Sequence, residues 1–214
     1  MAKFTQIPTD TFKKLQLNAG ILTTEFDPAT GELSASNIIG ATSGGVSFEA
    51  TPSFADFGED IDNCPKNTKE LKKLDSWEAK MSGSFVTMDT NVATSVIGTA
   101  AVASDDQTKV VPRNYVEAED FKNIWWVGDY SDINEDGSSA GKAGSSAGNA
   151  GSSAGKAGFI AIKLINALST GGFKIKSGDK AKGTFEFEYT GHYSSENIDT
   201  VPFEIYIKAG SAGK

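Results

Sequence analysis

Several groupings in the 214-residue sequence hold residue types that could do chemistry. Asp132-Ile-Asn134-Glu-Asp136-Gly137 matches the first six positions of an EF-hand calcium loop, whose alternate carboxylates wrap a hard cation. The twelfth position, which needs a bidentate Glu, is Ala143, and no helical pattern flanks the loop, so the stretch reads as a polar turn. Gly151-Ser-Ser-Ala-Gly155-Lys156-Ala157 has a phosphate-loop flavour, but three residues separate the glycines where four are required, and Ala stands in place of the magnesium-binding hydroxyl. Asp56, Glu59, Asp60 and Asp62 form an acidic group that, without a His or Cys pair, reads as solvated loop charge. A Cys64–His192 dyad would need a thiol and an imidazole far apart in the chain to meet. Paired carboxylates for hydrolysis would need two acids held on inward positions, whereas the acids here fall in loops and on the polar faces of strands. No residue is therefore assigned a catalytic or metal-binding role, and no cofactor is implied.

Trp125-Trp126, followed by Tyr130, is the remaining grouping. Neighbouring residues on a strand point to opposite faces. At most one tryptophan then joins a core, and the other is expected at a subunit interface, because exposed large aromatics mark contact surfaces. The alternative is a monomeric β-sandwich module that binds carbohydrate or protein through Trp125 or Trp126 and Tyr130.

Composition narrows the classes. The chain carries 20 Lys+Arg against 28 Asp+Glu, a formal charge of −8, with one His and one Cys. That excludes an internal disulfide and multi-thiolate zinc sites, and it argues against gripping nucleic acid by neutralising phosphates. No apolar run approaches the roughly 18 residues that span a bilayer, so no membrane partner is expected. The N-terminal residues lack the apolar core of a signal peptide, and synthesis in a reducing cytoplasm is expected. From 137 to 158 a seven-residue unit (GSSAGKA, GSSAGNA, GSSAGKA) runs three times and closes on Gly158. It has no large apolar side chain to offset ordering entropy, so it is expected to be a flexible loop within a single domain spanning 1–214. A short flexible tail is expected at 210–214.

Elsewhere the apolar residues recur with period two, at 44–51, 77–87, 159–164, 173–176, 184–189 and 203–208, with further strands over 15–26 and 123–130. Sheets with one dry and one wet face follow, and the spacing of turns favours a mainly β sandwich or barrel of two packed sheets. Val92, Val96 and Ile97 stand at helical spacing within 90–101, predicting one flanking helix with Thr90 as an N-cap candidate. A weaker helical turn is expected over 68–74, inside a long polar passage from 54 to 75. Loops of that length serve binding or assembly.

Three phrases carry a family resemblance: 41–85 (ATSGGVSFEATPSFADFGEDIDNCPKNTKELKKLDSWEAKMSGSF), 121–134 (FKNIWWVGDYSDIN) and 178–210 (GDKAKGTFEFEYTGHYSSENIDTVPFEIYIKAG). Together they resemble the major tail tube proteins of siphophages, whose fold relatives include the tube proteins of contractile tails and of type VI secretion. The resemblance implies a structural, non-enzymatic virion protein, made in the host cytoplasm. Copies of it would build hexameric rings stacked into a hollow tube that joins other phage tail proteins and conducts double-stranded DNA. In that setting Glu186 and Glu188, then Glu204 and Glu49, are the lumen-facing candidates: a wall of the same sign as DNA lets the duplex slide without sticking. Lys174 and Lys176 are placed to pair with these glutamates across strands. The loop with Phe54, Phe57, Leu71 and Leu74, and the N-terminal segment with Phe4 and Phe12, are the ring-stacking candidates. Ring closure through strand edges would also remove the liability of unpaired edges. The triplicated repeat departs from the family pattern. A 22-residue coil reaches about 26 Å, so it belongs on the outer wall, clear of the DNA.

Overall fold

The computed structural model describes residues 7–8, 11–130 and 158–208, the side chains of residues 12, 13 and 17 excepted. The period-two segments form strands, and two packed sheets with one helix make a β-sandwich. In chain order the elements are β1 (Gln16–Thr23), β2 (Ile38–Gly40), β3 (Thr42–Asp56), β4 (Lys72–Phe85), α1 (Thr90–Ile97), β5 (Ala100–Val102), β6 (Val110–Pro112), β7 (Lys122–Tyr130), β8 (Gly158–Ser169), β9 (Lys174–Lys176), β10 (Thr184–Thr190) and β11 (Phe203–Lys208). The first sheet runs β2-β1-β7-β8-β11 and the second β3-β4-β10-β9, with every pair antiparallel.

One strand belongs to both sheets. Residues 159–164 of β8 pair with β11, whereas Leu168 and Ser169 pair with Thr190 and Tyr189 of β10. The strand turns at Asn166, whose φ of 47° is left-handed, a conformation that Asn tolerates better than most residues. Its amide N–H bonds the Asn123 side chain at 3.2 Å, and its own side chain donates to the His192 carbonyl at 3.3 Å.

The dry faces meet between the sheets. Leu22, Ile124, Leu164 and Ala167 pack on Ala79, Met81, Phe85, Phe187 and Tyr189, and Val92 and Val96 of α1 close one side. The Phe85 and Phe187 rings lie 4.5 Å apart over Gly83, where an added Cβ would stand 2.8 Å from the Phe187 ring. Backbone and ring can approach so closely because position 83 has no side chain. The helix is capped by Asp89, which accepts from the Val92 N–H at 2.8 Å; Thr90, the candidate from sequence, is the first helical residue instead.

The first sheet is also covered on its other face. The excursion between β1 and β2 folds Phe26 and Leu33 onto Trp125, Phe159, Ala161 and Tyr206, making a second, smaller core. The Thr23 hydroxyl donates to the Asn37 carbonyl at 2.9 Å, and Asn37 donates to Glu25 at 2.8 Å, closing this excursion. Residues 68–74 are not helical: a turn ends at Leu71 and the chain enters β4 at Lys72, because cross-strand pairing with β3 overrides the local helical spacing. The repeat tract of 137–157 and the tail of 210–214 lie outside the described residues; Gly158 opens β8.

Candidate functional site

The wet face of the second sheet gathers three of the four lumen candidates. Glu186 and Glu188 stand opposite Ser84 and Ser82 on β4, and Glu49 stands opposite Lys80. All belong to the alternate positions that face away from Met81, Phe85, Phe187 and Tyr189. Glu78 adds a fourth carboxylate, which the alternation of 77–87 shows to be on this face but does not relate to the other strands. Lys80 is a cation among them. It bonds Glu78 at 2.6 Å, and that bond, followed by the charges of Glu78, Glu188 and Glu49, holds its ammonium pKa above the usual lysine value. Lys174 faces Glu186 in register and Lys176 faces Thr184, but neither lysine makes an ion pair among the described residues.

Glu204 does not join this face. It sits on β11 in the other sheet, 3.7 Å from the Lys163 ammonium, and accepts the Tyr206 hydroxyl at 2.6 Å. That bond raises the Tyr206 pKa first of all, burial and the nearby charge adding to it. Alternation along β11 is a local pattern, whereas the sheet it joins is a matter of long-range pairing.

The long β3–β4 hairpin extends past the sandwich. The β10 pairing of β4 stops at Lys80, while β3 and β4 continue together to Asp56 and Lys72, and residues 57–71 form the tip. Beyond Trp77, whose N–H bonds the Tyr193 hydroxyl at 2.7 Å, the pair projects as an arm. Phe54 (52% exposed), Phe57 (59%), Ile61 (50%) and Leu74 (50%) place apolar surface on it, and Leu71 is half-buried beneath. Lys72 and Lys73 lie over the Phe54 and Phe57 rings at 5.1 and 5.4 Å. The tip is ordered by Asp56, which accepts from the Gly58 and Asn67 N–H groups at 2.9 and 3.0 Å; these bonds hold its carboxyl below the usual aspartate pKa. Asp56 is thereby a loop brace, and among the described residues no three His, Cys, Asp or Glu side chains gather as a metal group. Phe4 and the side chain of Phe12 lie outside the described residues.

Trp125 is used inside the subunit, which corrects the interface assignment for that residue, whereas Trp126 is only partly buried. Trp125 is 6% exposed, edge-on to Phe26 at 5.6 Å, beside Tyr206 at 5.6 Å and under the Lys163 ammonium. Trp126 faces the main core, donates its indole N–H to the Ala19 carbonyl at 3.0 Å, and fills the space left by Gly20 and Gly128. The reason is the excursion carrying Phe26: it gives the outer face of the first sheet a cover that strand periodicity does not announce. Trp125 is accordingly not available for stacking, whereas Trp126 and Tyr130 are each partly exposed.

The chemical groupings resolve in the same way. Cys64 lies in the arm tip beside Thr68, and His192 is edge-on to Phe121 with Nδ1 at 3.1 Å from the Asn166 carbonyl, so the two form no dyad. The EF-hand-like and phosphate-loop-like stretches lie outside the described residues. A cleft of about 500 Å3 beside α1 is lined by Asp89, Ser95, Asp120, Lys122 and Tyr189 among others. Asp89 is occupied as a cap, Asp120 is paired with Arg113, and the Ser95 hydroxyl bonds the Tyr189 hydroxyl at 2.8 Å, so no nucleophile there is partnered by a base. No helix among the described residues is long and apolar enough to cross a membrane. No family model matches the chain, and no curated protein matches it.

Two sheet borders in the second sheet are open. β3, fifteen residues long, has β4 on one side and, among the described residues, no strand on the other, and β9 ends the opposite side. Gly44 and Gly45, at φ 82° and 84°, bulge the start of β3, and a Cβ added at either would meet nothing within 4 Å. Beside β9, Phe173 (47% exposed) and Ile175 (60%) continue the dry face past its cover. A long, exposed strand border is a template for another chain.

Proposed function

We propose that the protein is a tail tube subunit: copies join side by side through the borders of the β3-β4-β10-β9 sheet into rings, and the rings stack into a hollow tube. The observation that carries this reading is the coincidence, on one sheet, of a wet face whose four carboxylates outnumber its three lysines and two unsealed borders. Joining the borders turns separate wet faces into one continuous wall. Glu49, Glu78, Glu186 and Glu188 then line a lumen that repels a duplex carrying one charge per roughly 1.7 Å. The arm with Phe54, Phe57 and Leu74 reaches toward the next ring, where its apolar tip is covered. The protein's work on this reading is structural, in the virion, with its own copies and other phage tail proteins as partners.

The sandwich-module alternative loses Trp125 as a stacking surface, because that ring is buried within the subunit. Purified full-length chain, concentrated and viewed by negative-stain microscopy alongside sedimentation velocity, tests the reading. Rings or tubes are expected. Single compact particles across a range of salt and pH would overturn it.

A further inference from the structure

We infer that ring closure is keyed by charge at one seam: Lys174 on β9 of each copy meets Glu49 on β3 of the next. This inference rests on the proposed tube and names the contact that selects its register. Four strands alternate in direction across the sheet, so a rotated copy placed beside it brings β9 next to a β3 that runs antiparallel to it. An odd number of strands would have forced a parallel seam.

The charges at the two borders are opposite. Lys174 and Lys176 are exposed on the wet face of β9, and neither forms an ion pair among the described residues. Glu49 is exposed on the wet face of β3, bonded only by the Thr51 hydroxyl at 3.4 Å among the described residues. The dry faces match as well: exposed Phe173 and Ile175 border β9, and the half-buried Val46, Phe48 and Ala50 border β3.

Register decides whether the charges meet. Within one copy, the row through Lys174 passes Glu186 and Ser84, and the row through Glu49 passes Lys80 and Thr190. The two rows lie four residues apart along the strands, from Glu186 to Thr190, about 13 Å at 3.3 Å per residue. A closed barrel requires tilted strands and a matching stagger. At a tilt of about 36° the stagger is about one residue per strand, as in an eight-stranded barrel of shear eight. A four-stranded repeat then shifts by about four residues. The right-handed twist of strands sets the direction of the shift. With the wet face inside, each Lys174 row moves onto the Glu49 of the neighbouring copy.

Charge reversal tests the seam on the full chain. Glu49→Lys alone and Lys174→Glu alone each place like charges along every seam, and each is expected to raise the concentration needed for assembly at least about tenfold. An equal mixture of the two variants can alternate around a ring with every seam complementary, and assembly near the wild-type concentration is expected. Circular dichroism confirms that both exposed-site variants remain folded, and the doubly swapped chain Glu49→Lys/Lys174→Glu supplies the same test in a single species. If the single variants assemble like the wild type, or neither the mixture nor the swap recovers, the seam is wrong while the tube stands. A wild-type chain that never assembles overturns both.

Discussion

Replacing Phe54, Phe57 and Leu74 together by serine separates what the arm does for its own subunit from what it does for a neighbour. A phenylalanine side chain buries about 150–250 Å2 when fully covered. Phe54 and Phe57 are each still about half exposed, so roughly 100 Å2 on each ring awaits a cover. At about 25 cal/mol/Å2 that surface is worth about 2.5 kcal/mol per ring if a second copy covers it completely. Part of that is offset by the cost of immobilising the partners and ordering the tip. About a tenfold rise in the concentration for stacking is therefore expected for each phenylalanine removed. Within the subunit Lys72 and Lys73 lie over the two rings, contacts worth about 0.5–1 kcal/mol at exposed sites. The triple variant should melt within a few degrees of the wild type and yet stop at single rings. Sedimentation velocity and negative-stain microscopy read the assembly, and circular dichroism reads the melting. Tubes at the wild-type concentration would refute the stacking role, and a collapse in melting temperature would show that these side chains hold the subunit together.

Asp89→Ala removes the cap of α1 and leaves the Val92 N–H without its side-chain acceptor; a loss of about 1 kcal/mol, or about 2–4 °C in thermal denaturation, is expected. Tyr189 is buried, and burial, only partly opposed by the Ser95 hydrogen bond, pushes its phenol up to about 12. Since the folded pKa lies above the unfolded value near 10, its contribution is complete below pH 10 and is lost as pH rises toward 12. Tyr189→Phe should flatten that part of an alkaline unfolding curve, and an unchanged curve would count against the assignment. Deleting residues 144–157 should leave both melting temperature and assembly unchanged. β7 and β8 are paired up to Tyr130 and Gly158, so the chain leaves and re-enters at the end of a ladder that a shorter connection still closes.

The strands of the second sheet were legible because each alternates apolar and polar residues over a half-wet sheet: Phe185, Phe187 and Tyr189 against Glu186 and Glu188 is the clearest case. Helix α1 was legible from Val92 and Val96, whereas its cap was misplaced by one residue, since Asp89 and Thr90 are both good caps and only the backbone distinguishes them. β2, β5 and β6 are three residues each and too short to show a period. The 68–74 segment has helical spacing, and pairing along the hairpin overrode it. The burial of Trp125 is not legible locally because its cover comes from Phe26, a contact between residues about a hundred positions apart that no local pattern encodes. The acidic wall was half visible: the sequence offered the right face of each strand, but only register shows that Glu49, Glu78, Glu186 and Glu188 share a surface and that Glu204 does not.

Because β8 is stitched into both sheets, neither half of the sandwich can come apart while the other stays whole. Melting one sheet strips the partner from a strand the other needs, so the body should denature in one all-or-none step, with a single calorimetric peak. Among the described residues, compliance then falls to the protruding hairpin, whose outer turns have no such shared thread. A filament built from these parts would bend at its joints and keep its bricks stiff.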